Sequence, residues 1–253
     1  MIKSSLKQIY HRSVILPRVV SFIRRPRYCR MAQLDTPPFN GDRRMAEVVD
    51  FLIQCGVSSF VETGTYLGHT CKHIASRHPQ LSVTTIESNP DYFYASRKML
   101  RHYANVSAIK GNSAVEINRL VKNKHSGLTL FFLDAHWYNY LPLPDEIKSI
   151  SSGLSEAILV IHDFQVPEHN DYGFDVCNNA VIGMEMLASS VDHNKSYTLL
   201  FPNYTYQDAY GVPPMPKQQL RGYAIVFLGA FETINKFKRS EYAHLFTSVE
   251  KSY

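Results

Sequence analysis

The chain has 253 residues, 45% hydrophobic and 12% aromatic, which suffices for one full core and excludes disorder throughout. The net charge of +5 is uneven: residues 1–34 carry eight basic side chains and no acid, leaving 19 of the 27 basic residues against all 22 acids elsewhere. That balance of −3 excludes a basic nucleic-acid binder as the globular part, and only the arm is cationic.

The best apolar run of the arm, SVILPRVVSFI, is broken by Pro17 and Arg18 and falls short of the roughly 20 residues that span a bilayer. Three readings of the arm stay open. It suits a basic amphipathic helix lying peripherally on an anionic membrane surface, an Arg-rich transit segment, or a solvated extension. DTPPFNGDRR then reads as a linker. Residues 44–56 predict a helix with Met45, Val48, Val49, Leu52 and Ile53 on one face and Gly56 as its cap. Seven strand candidates follow: SSFVET, SVTTIES, VSAIKG, LTLFFLDA, AILVIHDF, YTLLFP and GYAIVFLG. Helices are expected between the early ones at about 69–78, 90–103 and 113–124.

Continuous apolar strands separated by helices predict an α/β fold. It is Rossmann-like and doubly wound, with a mostly parallel seven-stranded sheet and helices on both faces. The expected organisation is a basic arm over 1–34 and one domain over 35–253, with a lid-like insertion near 165–216. That insertion reads as a polar loop, a helix around 176–190 and the aromatic, proline-rich FPNYTYQDAYGVPPMP. Four cysteines without C-x-x-C spacing make no disulfide framework and fit a reducing, cytoplasmic setting.

The corner FVETGTYLGHT is the most informative stretch. A strand ending near Glu62 meets Gly64, which allows a sharp turn, and Gly68, which allows a ligand to approach the next helix. The pattern is E-x-G-x-x-x-G, not the G-x-G-x-x-G of pyrophosphate binders. A carboxylate at such a turn repels phosphate and attracts a cation. An adenosine ligand with a positive charge and no phosphate fits, and S-adenosylmethionine is that ligand. The second strand ends in Glu87, 23 residues after Gly64, placed to accept from ribose hydroxyls. Asn112 and Ser113 stand at a third strand end and helix N-cap, within reach of an adenine edge. Thr65, Ser88 and Asp134 complete the expected cofactor set. The alternative is a plain strand–turn–helix corner with a surface glutamate.

From about residue 58 to 164 the chain resembles the class I S-adenosylmethionine-dependent methyltransferases. FVETGTYLGHT, TIESNPDYF and FFLDAHW are similar to the catechol, caffeoyl and sugar O-methyltransferases. The resemblance implies that the carboxylate matching Glu62 lies by the methionine part, that Glu87 binds ribose, and that Asn112 and Ser113 lie at the adenine.

Methyl transfer needs an aligned acceptor and removal of its proton. Two strand ends offer candidates: Asp134 and His136 in LDAHWYNY, and His162 and Asp163 in IHDF. We expect Asp134, His136 and Asp163 to be catalytic, with Asp134 and Asp163 able to hold a divalent ion such as magnesium. His162 points opposite to Asp163 if the strand stays regular, which favours a satisfied hydrogen-bonding role. The resemblance implies a metal-binding amide where Phe164 stands and a basic lysine where Trp137 stands. His136 is the substitute base, and His162 or His169 can complete a different metal shell. Trp137, Tyr138 and Tyr140 line an acceptor pocket or pack beneath a lid. Asp145 and Glu146, after Pro144, complement a helix dipole.

The expected activity is O-methylation of a small-molecule hydroxyl, sugar or phenol, with no nucleic-acid partner; a homodimer stays open. Two other readings compete. A nicotinamide oxidoreductase is disfavoured by Glu62 and the missing third glycine. A non-catalytic scaffold with a cofactor pocket is raised by Phe164 and Trp137.

Overall fold

The structure is a computed structural model that describes residues 15–123, 127–135 and 140–251. The chain opens with α1 (Ile15–Ala32) and α2 (Arg43–Gln54). It then alternates through β1 (Ser59–Thr63), α3 (His69–Arg77), β2 (Ser82–Glu87), α4 (Pro90–Leu100), β3 (Val106–Lys110), α5 (Ser113–Lys122), β4 (Thr129–Leu133), α6 (Leu143–Gly153) and β5 (Ala157–His162). Short bridges β6 (Tyr172–Gly173), β7 (Val176–Cys177) and β8 (Ala180–Val181) precede α7 (Met184–Ser190). The rest is β9 (Tyr197–Pro202), α8 (Tyr206–Tyr210), β10 (Leu220–Arg221), β11 (Tyr223–Leu228), α9 (Phe231–Lys238) and β12 (Phe246–Lys251).

The main sheet runs β12-β9-β11-β5-β4-β1-β2-β3. Strands β3, β2, β1, β4 and β5 pair in parallel, and β11 lies antiparallel between β5 and β9. All seven expected strands are in it. β4, β5 and β11 are buried along their whole length because the layers on both faces cover them. Each buried Leu, Ile, Val or Phe there contributes roughly 1.5–3 kcal/mol of transfer free energy. The order reverses between β1 and β4, so the carboxyl ends of β1, β2, β4 and β5 frame the crevice where such sheets bind ligands.

Three expectations need correction. An eighth strand, β12, pairs antiparallel to β9 at the sheet edge, and Phe246 packs on Phe237 with ring centroids 5.4 Å apart. Its sequence, FTSVEK, is too polar to stand out as a strand. Residues 165–216 are not one insertion block, because the chain returns to the sheet as β9. The helix expected around 176–190 spans only Met184–Ser190. Before it, β7 and β8 form a hairpin whose two turn residues, Asn178 and Asn179, both adopt positive φ of 51° and 65°. Paired asparagines tolerate that conformation and break a helical repeat.

The arm is helical over Ile15–Ala32 and seats on α4. Tyr28 meets Tyr92 edge-on at 5.0 Å, and Arg25 lies 3.5 Å from Asp91 and over the Tyr94 ring. Ala32, Leu67 and Ala95 close a small apolar cluster beneath it. Among the described residues no helix is long and apolar enough to cross a membrane.

Candidate active site

The corner after β1 is shaped by its neighbours. Gly64 has φ 82°, and a Cβ there would stand 2.6 Å from the carbonyl oxygen of Asp134. The glycine therefore lets the end of β1 lie against the end of β4. The next two backbone amides tie the corner to β2: Thr65 N donates to the Ile86 carbonyl at 3.3 Å, and Tyr66 N donates to Glu87 Oε2 at 2.8 Å. Asn89 N donates to Glu87 Oε1 at 2.7 Å. Each carboxylate oxygen is thus held by one amide, and an oxygen that accepts one bond keeps capacity for another. Burial pushes the Glu87 carboxyl above its usual range, and these amides oppose the shift.

A cleft of about 940 Å³ opens beside Glu87. Gly64, Glu87, Ser88, Ser113, Asp134 and Asp163 line it, as expected from the sequence. So do Tyr66, Tyr92, Gly111, Asp175 and Cys177, which sequence reasoning did not select. The Tyr66 and Tyr92 rings meet edge-on at 4.8 Å and form an aromatic wall.

Four expected cofactor residues stand elsewhere. Glu62 is buried and accepts from Thr85 Oγ1 at 2.5 Å, while Thr85 also meets Thr65 Oγ1 at 2.5 Å. Burial pushes its carboxyl up to about 8, helped by Asp134 and Glu87, so it is neutral at pH 7. The anionic corner argued from Glu62 is therefore supplied by Glu87. Beside Gly68, a Cβ would meet Met99 at 2.9 Å and Ser96 at 3.2 Å. That glycine lets the turn before α3 lie close against α4. Asn112 caps α5 by accepting from Ala114 N at 3.0 Å. Thr65 is buried in the Thr85 contact.

The acceptor side is built at the ends of β4 and β5. His162 Nδ1 lies 3.1 Å from Asp134 Oδ1 and 3.3 Å from Asp163 Oδ1. The expected opposition of His162 and Asp163 does not occur. Asp163 leaves the strand with φ 56°, which swings its carboxylate back toward the histidine. Arg221, at the end of β10, bonds Asp163 through Nε and Asp175 through Nη2. The frame around it is backbone: Asp175 N donates to the Asp163 carbonyl at 3.0 Å, and Phe164 N to the Gly222 carbonyl at 2.9 Å.

Electrostatics follow from this packing. Burial alone lowers the His162 imidazole, but Asp134 and Asp163 override it and push it up to about 10. Burial alone raises Asp163, but His162 and Arg221 hold its carboxyl well below the usual range. His162 is therefore an imidazolium at neutral pH, set between Asp134 and Asp163. The ligand atoms of Asp134, His162 and Asp163 all lie within 4.8 Å of one another.

Glu146 has a second role beyond the α6 dipole. It is fully buried, accepts from Thr63 Oγ1 at 3.5 Å, and burial pushes it up to about 8. His136, Trp137 and Tyr138 lie outside the described residues. Tyr140 donates to Asp145 at 3.3 Å and does not line the cleft. Neither does His169, which lines a separate pocket.

No protein-family profile matches the sequence, and no curated protein matches it. Solved structures do resemble it in shape. A candidate O-methyltransferase from Klebsiella pneumoniae superposes with a TM-score of 0.52 at 14% identity, over 82% of this chain and 89% of that one. The O-methyltransferase TomG from Streptomyces achromogenes, involved in tomaymycin synthesis and solved in complex with SAM, gives 0.51 at 15% identity, over 82% and 89%. The sheet order and this likeness together establish that the chain has the Rossmann-like fold of the class I S-adenosylmethionine-dependent methyltransferases.

Proposed function

We propose that the protein is an S-adenosylmethionine-dependent methyltransferase acting on a hydroxyl oxygen of a small molecule. The observation that carries this reading is the charge of the cleft. Glu87, Asp134, Asp163 and Asp175 line it, and no Lys, Arg or His among the described residues does. Such a lining repels a diphosphate and suits a sulfonium nucleoside, which weighs against a nicotinamide dinucleotide.

The residues present fit that cofactor. Glu87, fixed by two amides, suits the ribose hydroxyls, with Ser88, Gly111 and Ser113 beside it and the Tyr66–Tyr92 wall opposite an apolar face. Bound there, the cofactor supplies an activated methyl group on a sulfonium. The protein then has to orient the acceptor and take its proton. Asp134 faces the cleft and is the group we assign to accept that proton. His162 is already protonated, so it cannot act as base and instead fixes the Asp134 carboxylate. Asp163, ionised and held by Arg221, accepts a hydrogen bond from the incoming hydroxyl.

Asp134, His162 and Asp163 each offer one ligand atom, all within 4.8 Å of one another, and these three would hold a divalent ion if one is bound. Arg221 bonds Asp163 and competes for its carboxylate. Phe164, which follows, is buried with its ring 5.9 Å from Phe201 and offers no oxygen.

Calorimetry decides the cofactor. S-adenosylhomocysteine binding with no NADH binding is the expected result; the reverse sinks the proposal. Turnover to S-adenosylhomocysteine is expected once an acceptor is supplied, and a chelator then reads whether an ion at the Asp134–His162–Asp163 group takes part.

A further inference from the structure

The helix α1 has an apolar half and a basic half. Residues 15–23 read ILPRVVSFI, and residues 24–32 read RRPRYCRMA. The described contacts that seat α1 on the domain come from the second half: Arg25 on Asp91 and Tyr94, Tyr28 on Tyr92, and Ala32 in the cluster with Leu67 and Ala95. Arg24, Arg27 and Arg30 recur every third residue, on the side of the helix turned away from those contacts, and all three are exposed.

The neighbouring surface of α4 has the same sign. Tyr94 carries the Arg25 guanidinium 4.8 Å from its ring centroid. It begins an exposed row that continues through Arg97, Lys98 and Arg101, at helical spacing for one face. Asp91 is the one acid between residues 88 and 115, and Arg25 lies against it. Among the described residues, none of the six exposed cations of this face is paired with a carboxylate. Two elements that pack together therefore present one cationic surface, whose potential draws an extended anionic partner.

The apolar half of α1 decides which partner. A nucleic acid supplies phosphates but no apolar phase for ILPRVVSFI. An anionic bilayer supplies both, with headgroups for the arginines and an acyl boundary for the apolar segment. No helix among the described residues is long and apolar enough to cross a membrane, so α1 would lie along the surface.

We propose that α1 and the basic row of α4 dock the protein on an anionic phospholipid surface, with residues 15–23 entering the headgroup–acyl boundary. The inference does not depend on the methyltransferase reading.

The test floats the full chain with vesicles of phosphatidylcholine alone or mixed with phosphatidylserine. Binding to the mixed vesicles is expected at about 0.1 M salt and its loss at about 1 M, where the screening length falls from about 10 Å to about 3 Å. Each cation at such a surface accounts for about fivefold in affinity. The triple variants Arg24→Gln/Arg27→Gln/Arg30→Gln and Arg97→Gln/Lys98→Gln/Arg101→Gln are each expected to weaken binding at least about tenfold, with wild-type thermal midpoints. Val19→Ser/Phe22→Ser keeps every charge and is expected to weaken it as well. Equal binding to phosphatidylcholine, no binding to any vesicle, or wild-type binding by both glutamine variants overturns the proposal. Wild-type binding by the serine variant overturns the insertion of residues 15–23. A labelled RNA duplex that binds more tightly than the mixed vesicles, read by fluorescence anisotropy, overturns the choice of a membrane.

Discussion

The two halves of the site are held in different ways. On the cofactor side, Glu87 is fixed by amides 2 and 21 residues away, in the turns that follow its own strand and the adjacent parallel β1. On the acceptor side, Asp163 and Asp175 depend on Arg221, which lies 58 and 46 residues away. The first half follows from one turn meeting one strand. The second exists only after β10 has paired with β6 and β11 has entered the sheet. The acceptor half therefore stands on one long-range side chain, and the cofactor half does not.

Removing that side chain is the strongest way to break the comparison. Arg221→Ala removes a cation that bonds the buried Asp163 carboxylate. Breaking a buried pair costs about 3–5 kcal/mol, and the one-third exposure of this arginine lowers the expected loss to about 2–4 kcal/mol. Urea unfolding reads the loss. S-adenosylhomocysteine affinity is expected to change by less than about twofold in the folded variant, because Glu87 shares no partner with Arg221. A drop in cofactor affinity as large as the drop in stability would show that the halves are one unit.

The pH dependence of stability sharpens the same contrast from below the cleft. Glu62 and Glu146 are both pushed up to about 8 by burial, against 4.5 for an ordinary glutamate. Unfolding releases their protons anywhere between those values, so their contribution is fullest below pH 4.5 and is lost as pH rises to about 8. Glu62→Gln cannot ionise. Its stability is expected to decline less between pH 5 and 8 than that of the wild type, by about 2–3 kcal/mol. Equal slopes in thermal or urea unfolding would mean that Glu62 is ionised in the folded protein.

Smaller again is the direct cofactor contact. Glu87→Ala is expected to weaken S-adenosylhomocysteine by about 1–3 kcal/mol with little change in the unfolding midpoint. Unchanged affinity by calorimetry would remove Glu87 from the site.

The same division governs what the sequence could reveal. All seven expected strands and the placement of Glu87, Ser88 and Ser113 were legible because each rests on a short pattern: an apolar run, a turn glycine, an acid at a strand end. Glu62 and Gly68 belong to the same motif, yet both are packed into their surroundings and neither lines the cleft. A pattern places a residue at a corner but does not say which way it faces, and burial then decides between ligand and packing. Arg221, Asp175 and the return of Asp163 toward His162 carried no local signal. One positive φ at Asp163 reversed the strand alternation from which the His162 orientation was argued. β12 was missed for a related reason, since an edge strand needs little apolar patterning once β9 offers it a free edge.

The arm gives the finest test of how far the cofactor half extends. Tyr28 of α1 packs on Tyr92, and Tyr92 packs on Tyr66, whose backbone amide holds Glu87. An edge-on aromatic pair contributes about 0.5–1.5 kcal/mol beyond burial. If α1 braces the aromatic wall, Tyr28→Ala should weaken S-adenosylhomocysteine by a few-fold, roughly the lower part of that range. Tyr28→Phe keeps the ring contact and loses the hydroxyl contact with Tyr92, so it should restore most of the affinity. An arm that merely rides on α4 would leave cofactor affinity at the wild-type value and shift only the thermal midpoint, and α1 would then lie outside the site.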